Sequence, residues 1–158
     1  MEKLDVLNQV AEFHGAFRHP VQDHPVIPSV ERCNLRVDLI REELRELEEA
    51  IEKKNIVEIA DALCDIQYVL TGAVLEFGLG EKFTALFEEV QRSNMSKACK
   101  SEDEAKSTVN HYREKKNTES YYRKNNDLYM VYRSSDNKTL KSINYSPPNL
   151  EAIIENHQ

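Results

Sequence analysis

The chain has 158 residues, 40% of them hydrophobic and 31% charged, which suits one globular domain with a real core. Its formal net charge of −7 argues against a general nucleic-acid surface. The three cysteines lie far apart without metal-binding spacing, so they predict reduced thiols in the cytoplasm and no zinc site. Neither a signal peptide nor a membrane span is expected, because acidic residues interrupt the longest apolar run.

Apolar residues at helical spacing predict four helices in the first hundred residues. Ser29 is the predicted N-cap of the second helix, and Asn55 is a candidate left-handed stop after it. The predicted ranges are 3–17, 30–54, 56–77 and 81–97. Few glycines and prolines, and no regular alternation of strands and helices, favour an all-α fold with a core like a four-helix bundle.

The composition changes after Lys97. Residues 101–127 are polar and lack a strong apolar stripe, so a surface helix, a flexible arm or both are expected there. "DLYMVYRSSDNKTLKSI" contains two β-prone runs around "SSDN", which predict a small hairpin, and a proline-containing tail with a short helix follows. The predicted organisation is a helical core over 1–100, the polar helix or arm over 101–127, and a hairpin and tail of the same domain over 128–158.

Acidic residues on two neighbouring helices form a candidate metal site. Glu58, Asp61 and Asp65 interrupt the most apolar helix, and at about 100° per residue they fall within an arc of roughly 60°. The preceding helix carries Glu43 and Glu46 three residues apart, and the short connection predicts antiparallel packing. Converging carboxylates repel unless a divalent cation lies among them, and an all-oxygen ligand set favours Mg²⁺ or Mn²⁺.

Other interpretations of the charges were weighed. Charged residues on a helix are usually a solvated face, and "REELRELEEAIEKK" alone is most often that. This explanation is weaker for the third helix, because its acids lie in an apolar sequence. None of the five histidines follows a glutamate by three residues, which argues against a di-iron carboxylate bundle, and the GxxxxGK[ST] phosphate loop is absent from the sequence.

Glu43-x-x-Glu46 followed by Glu58-x-x-Asp61 resembles the ExxE and ExxD pattern of the all-α nucleoside triphosphate pyrophosphohydrolase superfamily, which includes MazG. "LIREELRELEEAI", "EIADALCDIQYVLTGAVLEFG" and "VQRSNMSK" are most similar to its phosphoribosyl-ATP pyrophosphohydrolase-like branch, and "DNKTLKSINYSPPNL" resembles the tail of that branch. The resemblance implies an enzyme that binds Mg²⁺ through these four carboxylates. Such enzymes cleave the α–β phosphoanhydride bond of a nucleotide to give a monophosphate and pyrophosphate.

The resemblance also suggests individual roles. Glu46 is the candidate catalytic carboxylate that orients or deprotonates the attacking water. Asp65 is a further metal ligand or accepts a hydrogen bond from a ligand residue. Asn94 and Lys97 of "RSNMSK" are expected to contact phosphate or sugar oxygens, although a helix C-cap beside an exposed lysine explains them about equally well.

The third helix is apolar around most of its circumference, more than one small bundle would cover. These apolar residues are Ile59, Leu63, Ile66, Val69, Leu70 and Val74. We therefore expect a homodimer or a dimer of dimers, with a nucleotide as substrate and neither nucleic acid nor membrane as partner. The alternatives are a phosphoribosyl-ATP pyrophosphohydrolase of histidine synthesis and a non-catalytic acidic helical protein that binds a basic partner.

Overall fold

Six helices and a three-stranded antiparallel sheet make up the part of the chain that the computed structural model describes, residues 4–156. The elements are α1 (Val6–Phe17), α2 (Val30–Glu52), α3 (Ile56–Glu76), α4 (Phe83–Met95), α5 (Glu102–Lys116), β1 (Ser120–Asn125), β2 (Leu128–Arg133), β3 (Thr139–Leu140) and α6 (Leu150–Glu155). They divide into two compact units, one ending at residue 83 and the other starting at residue 84.

The mostly helical structure with a small sheet near its C-terminus agrees with the predicted all-α fold. The four-helix core and the boundaries 1–100, 101–127 and 128–158 stay predictions. None of the helices found in residues 4–156 is both long and apolar enough to cross a membrane. Cys33, Cys64 and Cys99 are free thiols, as predicted, and the cytoplasmic location stays a prediction.

In the first unit, α3 packs against both α1 and α2. The predicted cap Ser29 is confirmed, since its hydroxyl accepts a hydrogen bond from the amide of Arg32. The interpretation of Asn55 as a left-handed stop is wrong: Lys54 is the left-handed residue, with φ of 55°. Asn55 instead caps α3, because its side chain accepts hydrogen bonds from the first-turn amides of that helix. The reversal between α2 and α3 therefore takes only three residues.

A buried ion-pair cluster joins α2 to α3. Glu76, only 1% exposed, accepts hydrogen bonds from the guanidinium groups of Arg32 and Arg36. Arg36 also lies 3.4 Å from the ring Nε2 of His14 on α1, whose Nδ1 lies 2.9 Å from the carbonyl oxygen of Pro20. Gly72 leaves space for this cluster, since a Cβ there would lie 2.7 Å from an Arg36 guanidinium nitrogen. Charge pairing rather than apolar packing alone therefore fixes this end of the helices.

In the second unit, α5 packs on β1 and β2 around a small core of Cys99, Ala105, Val131 and Leu140. The predicted hairpin is confirmed: β2 pairs antiparallel with β3, with Val131 opposite Leu140. Part of the polar segment 101–127 is helix α5, and another part is β1, a strand that the sequence pattern does not predict. β1 pairs with β2 along its whole length, from Ser120 opposite Arg133 to Asn125 opposite Leu128.

Candidate active site

Carboxylates from α2 and α3 meet around a cavity of about 330 Å³ in the first unit. Three of the predicted metal ligands, Glu46, Glu58 and Asp61, line this cavity. The three-residue reversal makes α2 and α3 antiparallel neighbours, so the ExxE spacing of one helix and the ExxD spacing of the other face the same space. The structure therefore brings these three predicted residues together.

Glu43, the fourth predicted ligand, is half-buried one helical turn from Glu46 and does not line the cavity. Burial raises the pKa of Glu43 above its ordinary value, and the negative charges of Asp65, Glu46, Glu42 and Asp61 raise it further. These contributions show that Glu43 lies close enough to the other acids to feel their charge, with Asp65 its strongest carboxylate neighbour. Asp65 thus belongs to the same acidic region, beside Glu43.

Basic residues border the cavity as well. Arg45 and Lys53 line it, and the Lys53 ammonium lies 3.8 Å from carboxylate oxygens of both Glu49 and Glu58. All three side chains of this arrangement are at least half exposed, so such ion pairs add little stability. The spacing of Glu49 and Lys53 predicts their pairing within α2, but no sequence signal predicts that Lys53 also reaches α3.

The donor set can be tested for its fit to a metal. In residues 4–156, no three His, Cys, Asp or Glu side chains lie close enough together to enclose a metal ion. The available donors are nevertheless all carboxylate oxygens, which suit a hard divalent cation such as Mg²⁺ or Mn²⁺. The raised pKa of Glu43 records a repulsion that such a cation relieves. By this chemistry the residues fit the metal expected from the sequence.

The predicted substrate-binding residues lie in the second unit. Asn94 is in the last turn of α4, and Lys97 follows the helix and donates a hydrogen bond from its ammonium to the Asn94 side-chain oxygen at 2.7 Å. Asn94 precedes the last residue of α4 and is not in the left-handed conformation of a typical C-cap. Both residues line a second cavity, of about 460 Å³.

Two helices that present ExxE and ExxD carboxylates to one cavity are the arrangement expected of the MazG-like all-α NTP pyrophosphatase superfamily. Within that superfamily, the sequence model of phosphoribosyl-ATP pyrophosphohydrolase matches residues 10–94, more than half of the chain. The chain therefore belongs to the phosphoribosyl-ATP pyrophosphohydrolase family. The matched region contains α2 and α3 with all the predicted metal ligands.

A relative shows how far the similarity extends. The chain is 25% identical to an uncharacterized protein of Acanthamoeba polyphaga mimivirus, in an alignment that covers 98% of this chain and 97% of that protein. The likeness thus includes the second unit, beyond the part that the family model matches. Family membership indicates a nucleotide pyrophosphohydrolase, and MazG-like pyrophosphohydrolases generally depend on a divalent metal.

Proposed function

We propose that the protein is a Mg²⁺-dependent nucleotide pyrophosphohydrolase that cleaves the α–β phosphoanhydride bond of a nucleoside triphosphate or related nucleotide. The observation that supports this most directly is the cavity into which Glu46, Glu58 and Asp61 project from two antiparallel helices. Hydrolysis of a phosphoanhydride needs positive charge on the phosphates and an activated water. A divalent cation bound by these carboxylates supplies both, and Mn²⁺ is an alternative metal for the same donors.

Glu43, Glu46, Glu58 and Asp61 are the residues proposed to hold the metal, with Asp65 as a further ligand or hydrogen-bond acceptor beside Glu43. Glu46 is the proposed catalytic carboxylate, which orients the water and accepts its proton. Glu43 has a raised pKa, so metal binding shifts it towards the ionised form and releases protons in weakly acidic solution. Lys53 and Arg45, which line the same cavity, add positive charge for the substrate phosphates.

Asn94 and Lys97 are proposed to bind the substrate. Their mutual hydrogen bond fixes the direction of the lysine side chain and holds an amide and an ammonium side by side at a cavity. An ammonium is a suitable partner for phosphate oxygens, and an amide is suitable for sugar or base groups.

The experiment is a measurement of pyrophosphate release from ribo- and deoxynucleoside triphosphates, in Mg²⁺ and in EDTA. Phosphoribosyl-ATP belongs in the panel, because the family that matches is named for its hydrolysis. Release in Mg²⁺ that EDTA, Glu58→Gln and Asp61→Asn each abolish is the expected result. Glu48→Gln, on an exposed residue of α2 outside the cavity, is the matched control and should retain activity.

The outcomes separate the competing functions. Release from phosphoribosyl-ATP alone would identify the narrow substrate of histidine synthesis. Absence of release from every substrate, with no Mg²⁺-dependent rise in Tm, would contradict the proposal and favour a non-catalytic acidic protein.

A homodimer, or a dimer of dimers, is proposed as the state in which the enzyme works. Several large apolar side chains of α2 and α3 are exposed in the single chain, among them Leu44 at 48%, Ile51 at 56%, Val57 at 74% and Leu63 at 52%. Contiguous apolar surface of this kind is usually covered by a partner. Size-exclusion chromatography with light scattering tests the proposal, and a monomer at micromolar concentration would contradict it.

A further inference from the structure

Two lysines of the second unit differ from their neighbours in having no carboxylate partner. Arg92 pairs with Glu89 at 2.7 Å, and Arg133 pairs with Asp136 at 2.6 Å. Among the ion pairs of residues 4–156, by contrast, neither Lys97 nor Lys141 lies within 4.0 Å of a carboxylate oxygen. Their positive charge is therefore available to an anion from solution.

Tyr145 connects the two lysines. The Lys141 ammonium lies 4.1 Å from the centroid of the Tyr145 ring, and the Ser93 hydroxyl donates a hydrogen bond to the Tyr145 oxygen at 3.1 Å. That hydrogen bond lowers the pKa of Tyr145, and the charges of Lys141 and Lys97 lower it further. Both ammonium groups thus act on the same phenol, which places them in one electropositive region.

The cavity beside Lys97 has walls suited to a nucleoside. It lies on the face of the sheet opposite α5, because Leu128 and Met130 line it while Val131, of the other parity, is buried in the core. Met95 from α4 adds a third apolar side chain. Its volume of about 460 Å³ is within the usual range for small-molecule sites.

Polar groups line the same cavity at its rim. Amides come from Asn94 on α4 and from Asn125 and Asn126 at the turn between β1 and β2. Asp127 also lines the cavity, is exposed, and forms no ion pair with Lys97 in the described chain. Amide donors and acceptors next to an apolar wall are what recognition of a base or a sugar requires.

We propose that the second unit binds a phosphorylated nucleoside, with Lys97 and Lys141 on its phosphates and the nucleoside against the wall formed by Met95, Leu128 and Met130. The inference rests on the proposed function, since substrate and product of that reaction are both phosphorylated nucleosides. It adds Lys141, Tyr145 and the hairpin turn to the residues that recognise the nucleotide. Tyr145 is a positioning residue, because its ring supports the Lys141 ammonium.

The test measures binding in EDTA by isothermal titration calorimetry, so that metal bound to the carboxylates makes no contribution. The ligands are the nucleoside monophosphates and their deoxy forms, with inorganic pyrophosphate as a probe that has no nucleoside. Lys141→Met should weaken binding of both kinds of ligand about ten-fold or more, as expected for the loss of one charge-assisted contact. Lys138→Met, which makes the same charge change on an exposed residue of the same hairpin, should change Kd less than about two-fold.

A second variant tests the nucleoside wall. Met130→Ala should weaken nucleotide binding while leaving pyrophosphate binding unchanged, because the methionine contacts no phosphate in this arrangement. Glu58→Gln should leave all binding in EDTA unchanged.

The failure of this inference and that of the proposed function are distinguishable. Metal-dependent turnover with a KM that Lys141→Met does not alter, together with unaltered binding in EDTA, would overturn the inference and leave the function standing. Equal weakening by Lys141→Met and Lys138→Met would also overturn it, as would the absence of nucleotide binding in EDTA. Binding that depends on Lys141 in a protein without turnover would support the inference and contradict the function.

Discussion

Glu76→Gln is the substitution that most directly tests the buried ion-pair cluster of the first unit. The side chain keeps its size and loses its charge, so the effect isolates electrostatics from packing. Glu76 is 1% exposed, and its two partners differ: the Arg32 side chain is 31% exposed and the Arg36 side chain only 8%. Arg32 can turn to water when its partner is neutralised, whereas Arg36 remains buried with its charge uncompensated.

Breaking a buried pair from one side costs about 3–5 kcal/mol, because the remaining charge stays desolvated. Since only one of the two arginines is fully trapped, a loss of about 3 kcal/mol is expected for Glu76→Gln. For a chain of this size that corresponds to a fall in Tm of roughly 6–12 °C. Glu81→Gln, an exposed control, should change the free energy of unfolding by less than about 0.5 kcal/mol.

Urea denaturation followed by far-UV circular dichroism, at one fixed protein concentration, measures the difference as a shift in midpoint at unchanged m-value. Burial acts to raise the pKa of Glu76, but hydrogen bonds from Arg36 and Arg32 outweigh it and hold the pKa below its ordinary value. The stabilisation is therefore present above about pH 4.3 and is lost as the pH falls towards the folded-state pKa. A difference below about 1 kcal/mol at pH 7, or one that does not narrow in acid, would refute the reasoning.

Three further substitutions test other parts of the first unit. Gly72→Ala should destabilise by about 1–2 kcal/mol, because its Cβ would displace the Arg36 guanidinium, whereas Gly15→Ala, with nothing within 4 Å, should stabilise by about 0.5–1 kcal/mol; equal Tm shifts would contradict this. Glu43→Gln should raise the Tm of the metal-free protein by about 1–3 °C at pH 7, because the raised pKa of Glu43 disfavours its charged form; the gain should vanish in acid, and differential scanning fluorimetry at both pH values checks it. Asn55→Ala should cost about 1 kcal/mol in urea denaturation, the usual effect of losing an N-cap, and an unchanged midpoint would argue against its capping role.

The helices were predictable because each has an apolar face at helical spacing and most begin at a capping side chain. The error at Asn55 arises because asparagine suits both a left-handed helix end and an N-cap. The adjacent Lys54 takes the left-handed conformation, which leaves the asparagine side chain free to satisfy the first amides of α3. Sequence alone does not rank these two uses.

β1 was not predicted, because its sequence "SYYRKN" has only two β-prone residues and its second half is exposed. Pairing with β2 and packing of Tyr122 against the core beneath α5 stabilise it, and both are tertiary contacts. At the acidic cavity the spacing identified the helix faces correctly. The contact of Lys53 with Glu58 and the pairing of Glu76 with Arg36 were not predictable, since both join different helices.

The same two helices treat their carboxylates in opposite ways, and the contrast bears on function. At one end, Glu76 is buried and receives hydrogen bonds from two arginines, which is how a structural carboxylate is accommodated. At the other end, the ion pairs to Glu49 and Glu58 in the described chain come from Lys53 at 3.8 Å, and Glu43 carries a pKa raised by its acidic neighbours. Cluster formation that costs stability there is explained if a cation arrives from solution, because its binding converts that repulsion into affinity. The Glu43→Gln variant separates the two explanations: a more stable protein that has lost its Mg²⁺-induced rise in Tm indicates a cation site, whereas a more stable protein with that response intact indicates a solvated acidic face.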